Sequence, residues 1–270
     1  MPELPEVETT LRGIEPHLAG QRIAHVVVRD HRLRWPVPPE VSKAEGQQFV
    51  HLGRRGKYLL LKLQSGGLIV HLGMSGSLRI LEQPLAPEKH DHVDIELVNG
   101  ACLRFNDPRR FGAFLWVEGD FESHELLREL GPEPLSDAFT ADDLYAASRG
   151  RKVAIKNFIM NGHVVVGVGN IYASESLFMA GIHPNRAAGR VSLQRFEGLV
   201  AAIRDVLSRA IRRGGTTLRD FVNSEGSPGY FAQELLVYDR AGSDCFQCGA
   251  PIRQKVIGQR SSYYCPACQR

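Results

Sequence analysis

CFQCGAPIRQKVIGQRSSYYCPAC, residues 245–268, decides how the end of this chain folds. Cys245 and Cys248 form one Cys-x2-Cys pair, Cys265 and Cys268 another, and 16 residues separate the pairs. That spacing falls in the range of a four-cysteine zinc site. Each tight turn presents two thiolates, and the residues between them return as a β-hairpin. So short a segment has little core of its own, and zinc binding of about 10–16 kcal/mol would supply its folding energy. Four thiolates leave no open coordination position, which makes the expected Zn²⁺ structural rather than catalytic. The competing reading, two redox pairs or disulfides, would spread the cysteines and require an oxidising compartment. The fifth cysteine, Cys102, stands apart in a strand pattern and reads as a buried thiol.

The charge pattern points to the same segment. The chain has 270 residues, with 33 basic and 30 acidic side chains and a net charge of +3. From residue 245 onward, Arg253, Lys255, Arg260 and Arg270 face no acid, so these 26 residues carry +4 and the other 244 carry −1. A basic zinc hairpin is suited to phosphate, with Arg260 on its second arm; a solvated arginine is the alternative. The net charge excludes a histone-like polycation. At 43% hydrophobic and 23% charged residues the composition is that of a globular protein. No apolar run approaches the roughly 20 residues of a membrane span, and the acidic, proline-bearing start resembles neither a signal nor a transit peptide. A cytoplasmic protein is expected.

Working back from the hairpin, the chain divides into three parts. Residues 5–19 place Val7, Leu11, Ile14 and Leu18 on one helical face, and Gly20 ends the run. Strand-like runs follow at 23–28, 49–52, 58–63, 68–71, 78–81, 93–98, 102–105 and 113–117, broken by turn residues such as Ser65-Gly66-Gly67 and Asn99-Gly100. This predicts a β-sandwich. Gly131-Pro132-Glu133-Pro134 is a linker signal, after which the apolar period becomes helical over 171–180 and 193–211. Gly214-Gly215 closes the last helix, and NSEGSPGY (223–230) reads as a flexible polar loop. The expected fold is α+β and multidomain. Residues 1–130 form a two-layer β-sandwich with an N-terminal helix, 131–238 a linker and helical domain, and 239–270 the zinc hairpin.

Several short motifs carry chemistry. Gly167-Val168-Gly169-Asn170 precedes a helix that Asn170 can cap, leaving backbone N–H groups for an anion. Arg54-Arg55-Gly56-Lys57, Arg109-Arg110-Phe111-Gly112 and Arg149-Gly150-Arg151-Lys152 each sit at a turn. Singly they are surface charge; together they resemble a segmented phosphate track. Met74, at the tip of Gly73-Met74-Ser75-Gly76, can either wedge between bases or fold back on the core. Removal of the initiator methionine would leave Pro2 with a free secondary amine. Such an amine attacking a sugar C1′ gives an iminium, and Glu3 beside it is placed for general-acid work.

These motifs occur in order along the chain: Pro2-Glu3-Leu4-Pro5-Glu6-Val7-Glu8-Thr9, Lys57-Tyr58-Leu59-Leu60, His71-Leu72-Gly73-Met74-Ser75-Gly76, Asp107-Pro108-Arg109-Arg110-Phe111-Gly112, Gly167-Val168-Gly169-Asn170-Ile171-Tyr172, Pro228-Gly229-Tyr230-Phe231 and the cysteine hairpin. With them the chain resembles the formamidopyrimidine-DNA glycosylase family, the bacterial 8-oxoguanine glycosylase/AP lyases, over essentially its full length. The resemblance implies Pro2 as nucleophile and Schiff-base residue, and Glu3 as proton donor in base release and ring opening. It implies Lys57 in β-elimination and Arg260 in δ-elimination. His90, Arg109 and Arg151 would contact DNA, and Lys57, His71 and Asn170 would grip phosphates. Met74, Arg109 and Phe111 match the triad that fills the gap left by an extruded base, with Arg109 facing the orphaned cytosine. Residues 167–180 match the second half of a helix–two-turn–helix element, and the loop near 216–230 the one that closes over the damaged base. The implied partner is damaged double-stranded DNA, bound by a monomer with one structural Zn²⁺.

Two rival readings remain. The sister family, endonuclease VIII, prefers oxidised pyrimidines; it typically has Gly where this chain has Leu4 and lacks the Met74/Arg109/Phe111 combination. A non-catalytic zinc-hairpin DNA-binding protein would need neither Pro2 nor Glu3.

Overall fold

The computed structural model describes residues 2–83, 85–216 and 234–270. They fall into two compact units, residues 2–128 with 213–216 and residues 129–212 with 234–270.

The first unit opens with helix α1, Leu4–Leu18, whose buried stripe includes Val7, Leu11, Ile14 and Leu18 as the spacing predicts. Pro5 lies in its first turn, where a missing N–H costs no hydrogen bond. Gly20, at φ +73°, takes the chain out of the helix. Eight strands follow: β1 (Ile23–Val28), β2 (Phe49–Arg55), β3 (Tyr58–Leu63), β4 (Gly67–His71), β5 (Ser77–Leu81), β6 (Asp91–Leu97), β7 (Cys102–Asn106) and β8 (Ala113–Val117). They form two antiparallel four-stranded sheets, in the orders β1-β6-β7-β5 and β2-β3-β4-β8. Leu59, Leu61, Leu63, Leu68 and Val70 of one sheet and Val93, Ile95, Leu103 and Phe105 of the other share one core with α1. The predicted sandwich is therefore present, with each run in its expected place.

Register determines where the chain is free to do chemistry. Tyr58 pairs with His71 and His71 with Ala113, so the β2–β3 turn, the end of β4 and the start of β8 lie at one end of their sheet. Ser77 and Asp91 both pair with Asn106, which brings together the starts of β5 and β6 and the end of β7. The links β4–β5 and β7–β8 pass from one sheet to the other. Residues 72–76 and 107–112 therefore cross the sandwich at the same end, next to the segment that precedes β6.

The second unit holds α2 (Ala141–Ser148), α3 (Ile155–Ile159), α4 (Asn170–Met179), α5 (Leu193–Arg212) and the hairpin β9 (Arg253–Ile257) with β10 (Arg260–Tyr264). α4 and α5 match the two predicted helices, and both α2 and α4 pack on α5. α2 and α3 are additional. The α2 cap, Thr140 Oγ1 accepting the Asp143 N–H at 3.1 Å, is a readable Thr-x-x-Asp signal. The β9–β10 turn has Gly258 and Gln259 at φ +57° and +63°, the geometry of a two-residue type I′ turn. Glu175 of α4 accepts the N–H groups of Leu236, Val237 and Tyr238, and Gln269 Nε2 donates to the Ile182 carbonyl, so both ends of the cysteine segment are tied to the helices. No helix among the described residues is long and apolar enough to cross a membrane.

Candidate active site and nucleic-acid interface

Pro2 and Glu3 occupy the start of α1, and both are buried. Glu3 is the N-cap. Its carboxylate accepts the Glu6 N–H, while its own N–H donates to Glu6 Oε2 at 2.8 Å. This capping box places two carboxylates against the positive end of the helix. Glu6 Oε1 also accepts the Thr216 N–H at 2.8 Å. A carboxyl so fixed one residue from a proline nitrogen has the geometry of a proton donor beside a nucleophile.

Lys57 lies in the two-residue β2–β3 turn behind Gly56, which has φ +58°. The ring of His71 lies 4.8 Å from that of Tyr58, and its Nδ1 accepts the Gly73 N–H at 3.0 Å. Burial, reinforced by the charges of Lys57 and Arg34, pushes the His71 pKa down to about 4. The ring is neutral near pH 7 and, with Nδ1 accepting, carries its proton on Nε2. That makes it a neutral donor suited to a phosphate oxygen.

Met74 is half-buried at its turn, between the two outcomes that the sequence leaves open. Phe111 is 42% exposed, and the Arg109 guanidinium lies 5.3 Å from its ring centre. A Cβ on Gly73 would meet the Phe111 carbonyl carbon at 2.5 Å, so the Met74 turn rests directly on the backbone between Phe111 and Gly112. His90 precedes β6, and its carbonyl accepts the Asp107 N–H at 3.1 Å. Its Nδ1 is buried and has no hydrogen-bond partner among the described residues. Arg110, in contrast, is committed to structure. It sits at φ +58°, pairs with Asp30 at 2.7 Å and accepts the Arg34 N–H on its carbonyl. Of the two neighbouring arginines, Arg109 is the one that remains exposed.

The other basic runs divide in the same way. Arg54 pairs with Glu8 at 3.0 Å and donates to the Gly56 carbonyl. Arg149 stacks on Tyr145 at 3.8 Å and donates to the Val191 carbonyl. One arginine of each basic run, Arg54, Arg110 or Arg149, is thus committed to contacts within the protein. Arg151 is exposed and borders a cavity of about 450 Å³ in the second unit.

Asn170 is the first residue of α4 rather than its cap, which is Gly169. Its side chain is used elsewhere. Oδ1 accepts from Lys156 Nζ at 2.6 Å, and Nδ2 donates to the Ser261 carbonyl at 3.0 Å. Lys156 is fully buried and also donates to Ser262 Oγ and the Ser261 carbonyl. Asn170 and β10 are thus fixed to each other next to Arg260, which is exposed at the start of β10. Sequence reading gives Lys156 no role; its only signal is a lone cation in the apolar run of α3. Glu6 and Asp107 lie inside the quoted motifs but receive no assignment there.

The sulfur atoms of Cys245, Cys248, Cys265 and Cys268 all lie within 4.8 Å of one another, with Cys245–Cys268 at 3.9 Å and Cys248–Cys265 at 3.5 Å. Tetrahedral zinc with Zn–S bonds of about 2.3 Å needs sulfurs about 3.8 Å apart, so the four thiolates fit one structural Zn²⁺. Cys102 lies on β7 of the first unit. Burial and the nearby Asp94 push its thiol up to about 12, as an inert buried cysteine requires. The predicted closing loop at 216–230 and Pro228-Gly229-Tyr230-Phe231 lie outside the described residues, except for Thr216.

Comparison with known proteins agrees with this arrangement. Residues 1–114 match the formamidopyrimidine-DNA glycosylase N-terminal domain, 130–222 the formamidopyrimidine-DNA glycosylase H2TH domain, and 242–270 the zinc finger found in FPG and IleRS. Formamidopyrimidine-DNA glycosylases of Syntrophotalea carbinolica and Alcanivorax borkumensis are each 60% identical, with 100% of both chains covered. The Thermus thermophilus protein superposes with a TM-score of 0.89 at 39% identity, covering 99% of this chain and 98% of that one. A Lactococcus lactis variant bound to Fapy-dG-containing DNA gives 0.93 at 31% identity, with 100% of each covered. The Lactococcus protein has also been solved with abasic-site DNA and with DNA containing an oxidized pyrimidine.

Proposed function

This chain belongs to the formamidopyrimidine-DNA glycosylase family and is a DNA repair glycosylase, and from that premise we propose that it excises oxidised purines, 8-oxoguanine and formamidopyrimidines, and then cleaves the strand by β,δ-elimination. The observation that carries the reading is the buried start of α1, where Glu3 and Glu6 brace each other one residue from Pro2.

The reaction begins when the damaged nucleotide leaves the stack, at a cost of a few kcal/mol that is smaller for a damaged base. Met74 and Phe111 occupy the void, and Arg109 faces the orphaned cytosine. The Pro2 nitrogen attacks C1′, and the glycosidic bond breaks with its electron pair leaving on the base, which takes up a proton. Loss of the amine proton and protonation of the ring oxygen by Glu3 open the sugar to an iminium between Pro2 and C1′. The positive nitrogen acidifies C2′–H, so β-elimination expels the 3′ phosphate with help from Lys57. A second elimination, assisted by Arg260, expels the 5′ phosphate. His71, Asn170 and Lys57 hold phosphates, while His90 and Arg151 add contacts to the duplex. The Zn²⁺ supplies the rigidity of the hairpin that carries Arg260. The sandwich at 1–130 supplies the nucleophile, the helix–two-turn–helix region at 131–238 and the hairpin at 239–270 the grip. The enzyme works as a monomer on the nucleoid in the cytoplasm.

Borohydride reduction tests the core of this reading. Damaged duplex and wild-type protein should give a covalent adduct, and Pro2→Gly should keep binding but lose most of the adduct. Absence of a wild-type adduct would overturn the Schiff-base route. The second reading, preference for oxidised pyrimidines, has support in the Lactococcus relative solved with such DNA. Leu4 and the Met74/Arg109/Phe111 set favour purines, and much faster release of thymine glycol than of 8-oxoguanine paired with cytosine would reverse the assignment.

A further inference from the structure

We propose that Asp107 is the positioning residue that makes the void-filling and strand-reading side chains of the first unit act as one body. The proposal rests on the reading of Met74, Arg109 and Phe111 given above. Asp107 has no solvent exposure. Its Oδ1 accepts the Ser75 hydroxyl at 2.8 Å and the Arg109 N–H at 3.3 Å, and its Oδ2 accepts the Gly112 N–H at 2.8 Å. Its own N–H donates to the His90 carbonyl at 3.1 Å, and its carbonyl faces His92 Nε2 at 2.8 Å. Ser75 adjoins Met74 and Gly112 adjoins Phe111. Each of the four side chains Met74, His90, Arg109 and Phe111 thus belongs to, or directly neighbours, a residue that Asp107 bonds.

These four come from three different segments, and two of the segments are the crossings between the sheets. Without a shared anchor, each would have to be ordered separately when DNA arrives, at a separate entropic cost. One carboxylate accepting three donors across two crossings removes that freedom beforehand. The Ser75 hydroxyl reinforces the bridge by accepting the Arg109 N–H at 3.1 Å while it donates to Asp107. An amide cannot replace the carboxylate, because its NH2 group would confront either the Gly112 N–H or the pair formed by Ser75 and Arg109.

The test compares Asp107→Asn and Ser75→Ala with wild type on two substrates: 8-oxoguanine duplex with cytosine or adenine opposite, and a single strand containing an abasic site. The single strand needs Pro2 chemistry but no void filling. Asp107→Asn is expected to lose at least 30-fold in kcat/KM on the 8-oxoguanine:cytosine duplex, to lose most of its cytosine-over-adenine preference, and to keep single-strand trapping within threefold. Ser75→Ala, which removes one donor and leaves the carboxylate, should show the same pattern at three- to tenfold. Wild-type duplex kinetics and opposite-base ratio in both variants would overturn the proposal, as would equal losses on the two substrates. Phe111→Ala serves as the reference. If it retains wild-type duplex activity, the void-filling reading itself fails; if it loses activity while Asp107→Asn does not, only the role of Asp107 fails.

Discussion

Lys156, with no solvent exposure, donates to the side-chain oxygen of Asn170 across 2.6 Å. The bond determines which way the Asn170 amide faces, and two further donations, to Ser262 Oγ and the Ser261 carbonyl, extend its effect to the strand that begins with Arg260. Removing a buried ammonium leaves these acceptors without their donor, at about 1–3 kcal/mol for an unsatisfied buried group. Lys156→Met, similar in length and uncharged, should destabilise the protein by about 2 kcal/mol in urea denaturation. It should also weaken binding to abasic-site duplex at least tenfold by fluorescence anisotropy. Unchanged affinity would show that Asn170 and β10 keep their alignment without the lysine.

Glu6 ties the start of its own helix to a second segment. It accepts the N–H groups of Glu3 and Thr216, one on each oxygen, both at 2.8 Å. Glu6→Gln converts one oxygen into a donor facing a donor. The expected result is a loss of about 1–3 kcal/mol in stability. Borohydride trapping should fall more than tenfold, because the backbone that carries Pro2 and Glu3 loses its brace. Trapping at the wild-type rate would mean that the Glu3 cap alone holds the N-terminus in place.

How much of this was legible in the sequence depended on whether the determinant was local. Periodicity placed α1 and all eight sandwich strands because burial on one face repeats every two or 3.6 residues. The four cysteines were readable because zinc geometry fixes their spacing. Lys156 was not, since its partners lie on other segments that only the folded chain brings near. Glu6 and Asp107 each combine local bonds, to the Glu3 N–H and to the Arg109 and Gly112 N–H groups, with a distant one, to Thr216 and to Ser75, and only the distant one is hidden from the sequence. The arginine runs show the same limit. Arg109 and Arg110 are indistinguishable as letters, but Arg110 is used by Asp30 and Arg109 is not. Asn170 looked like a helix cap because its type favours caps, yet tertiary bonds to Lys156 and Ser261 take both ends of its amide.

Zinc should be structural in a measurable sense. Both ends of the cysteine segment are tied to the helices, but the hairpin itself is closed by the four thiolates. Chelation, or Cys248→Ser, should release one zinc per chain and reduce affinity for abasic-site duplex at least tenfold, while α1 and the sandwich remain folded by circular dichroism. Full affinity in the metal-free protein would remove the hairpin from the grip.

Salt dependence separates charged contacts from neutral ones. Counterion release counts only cations on phosphates, at about −0.9 in log–log slope per contact. Six cationic contacts would give about −5. Lys57, Arg151 and Arg260 are cations, but Asn170 is an amide, His71 is neutral near pH 7 and Arg109 faces a base rather than a phosphate. A slope of about −3 is therefore expected from binding isotherms between 50 and 200 mM salt. A slope near −5 or steeper would mean that further cations reach the backbone.

The protonation of His71 also predicts how stability changes with pH. Burial, then the charges of Lys57 and Arg34, lowers its pKa from the usual 6.5 to about 4 in the folded protein, and its Nδ1 is occupied by the Gly73 N–H. Between those two values the unfolded chain binds a proton that the folded chain does not. Stability from this group is therefore fully present above pH ~6.5 and declines as pH falls toward 4, by about 2 kcal/mol at pH 5. His71→Gln can still accept the Gly73 N–H and does not titrate. Its loss of stability between pH 7 and pH 5, measured by urea denaturation, should be smaller than that of the wild type by about 1–2 kcal/mol. Parallel pH profiles for the two proteins would mean that the folded His71 takes up its proton near 6.5, and the neutral-donor role assigned to it at the phosphate would fail with that result.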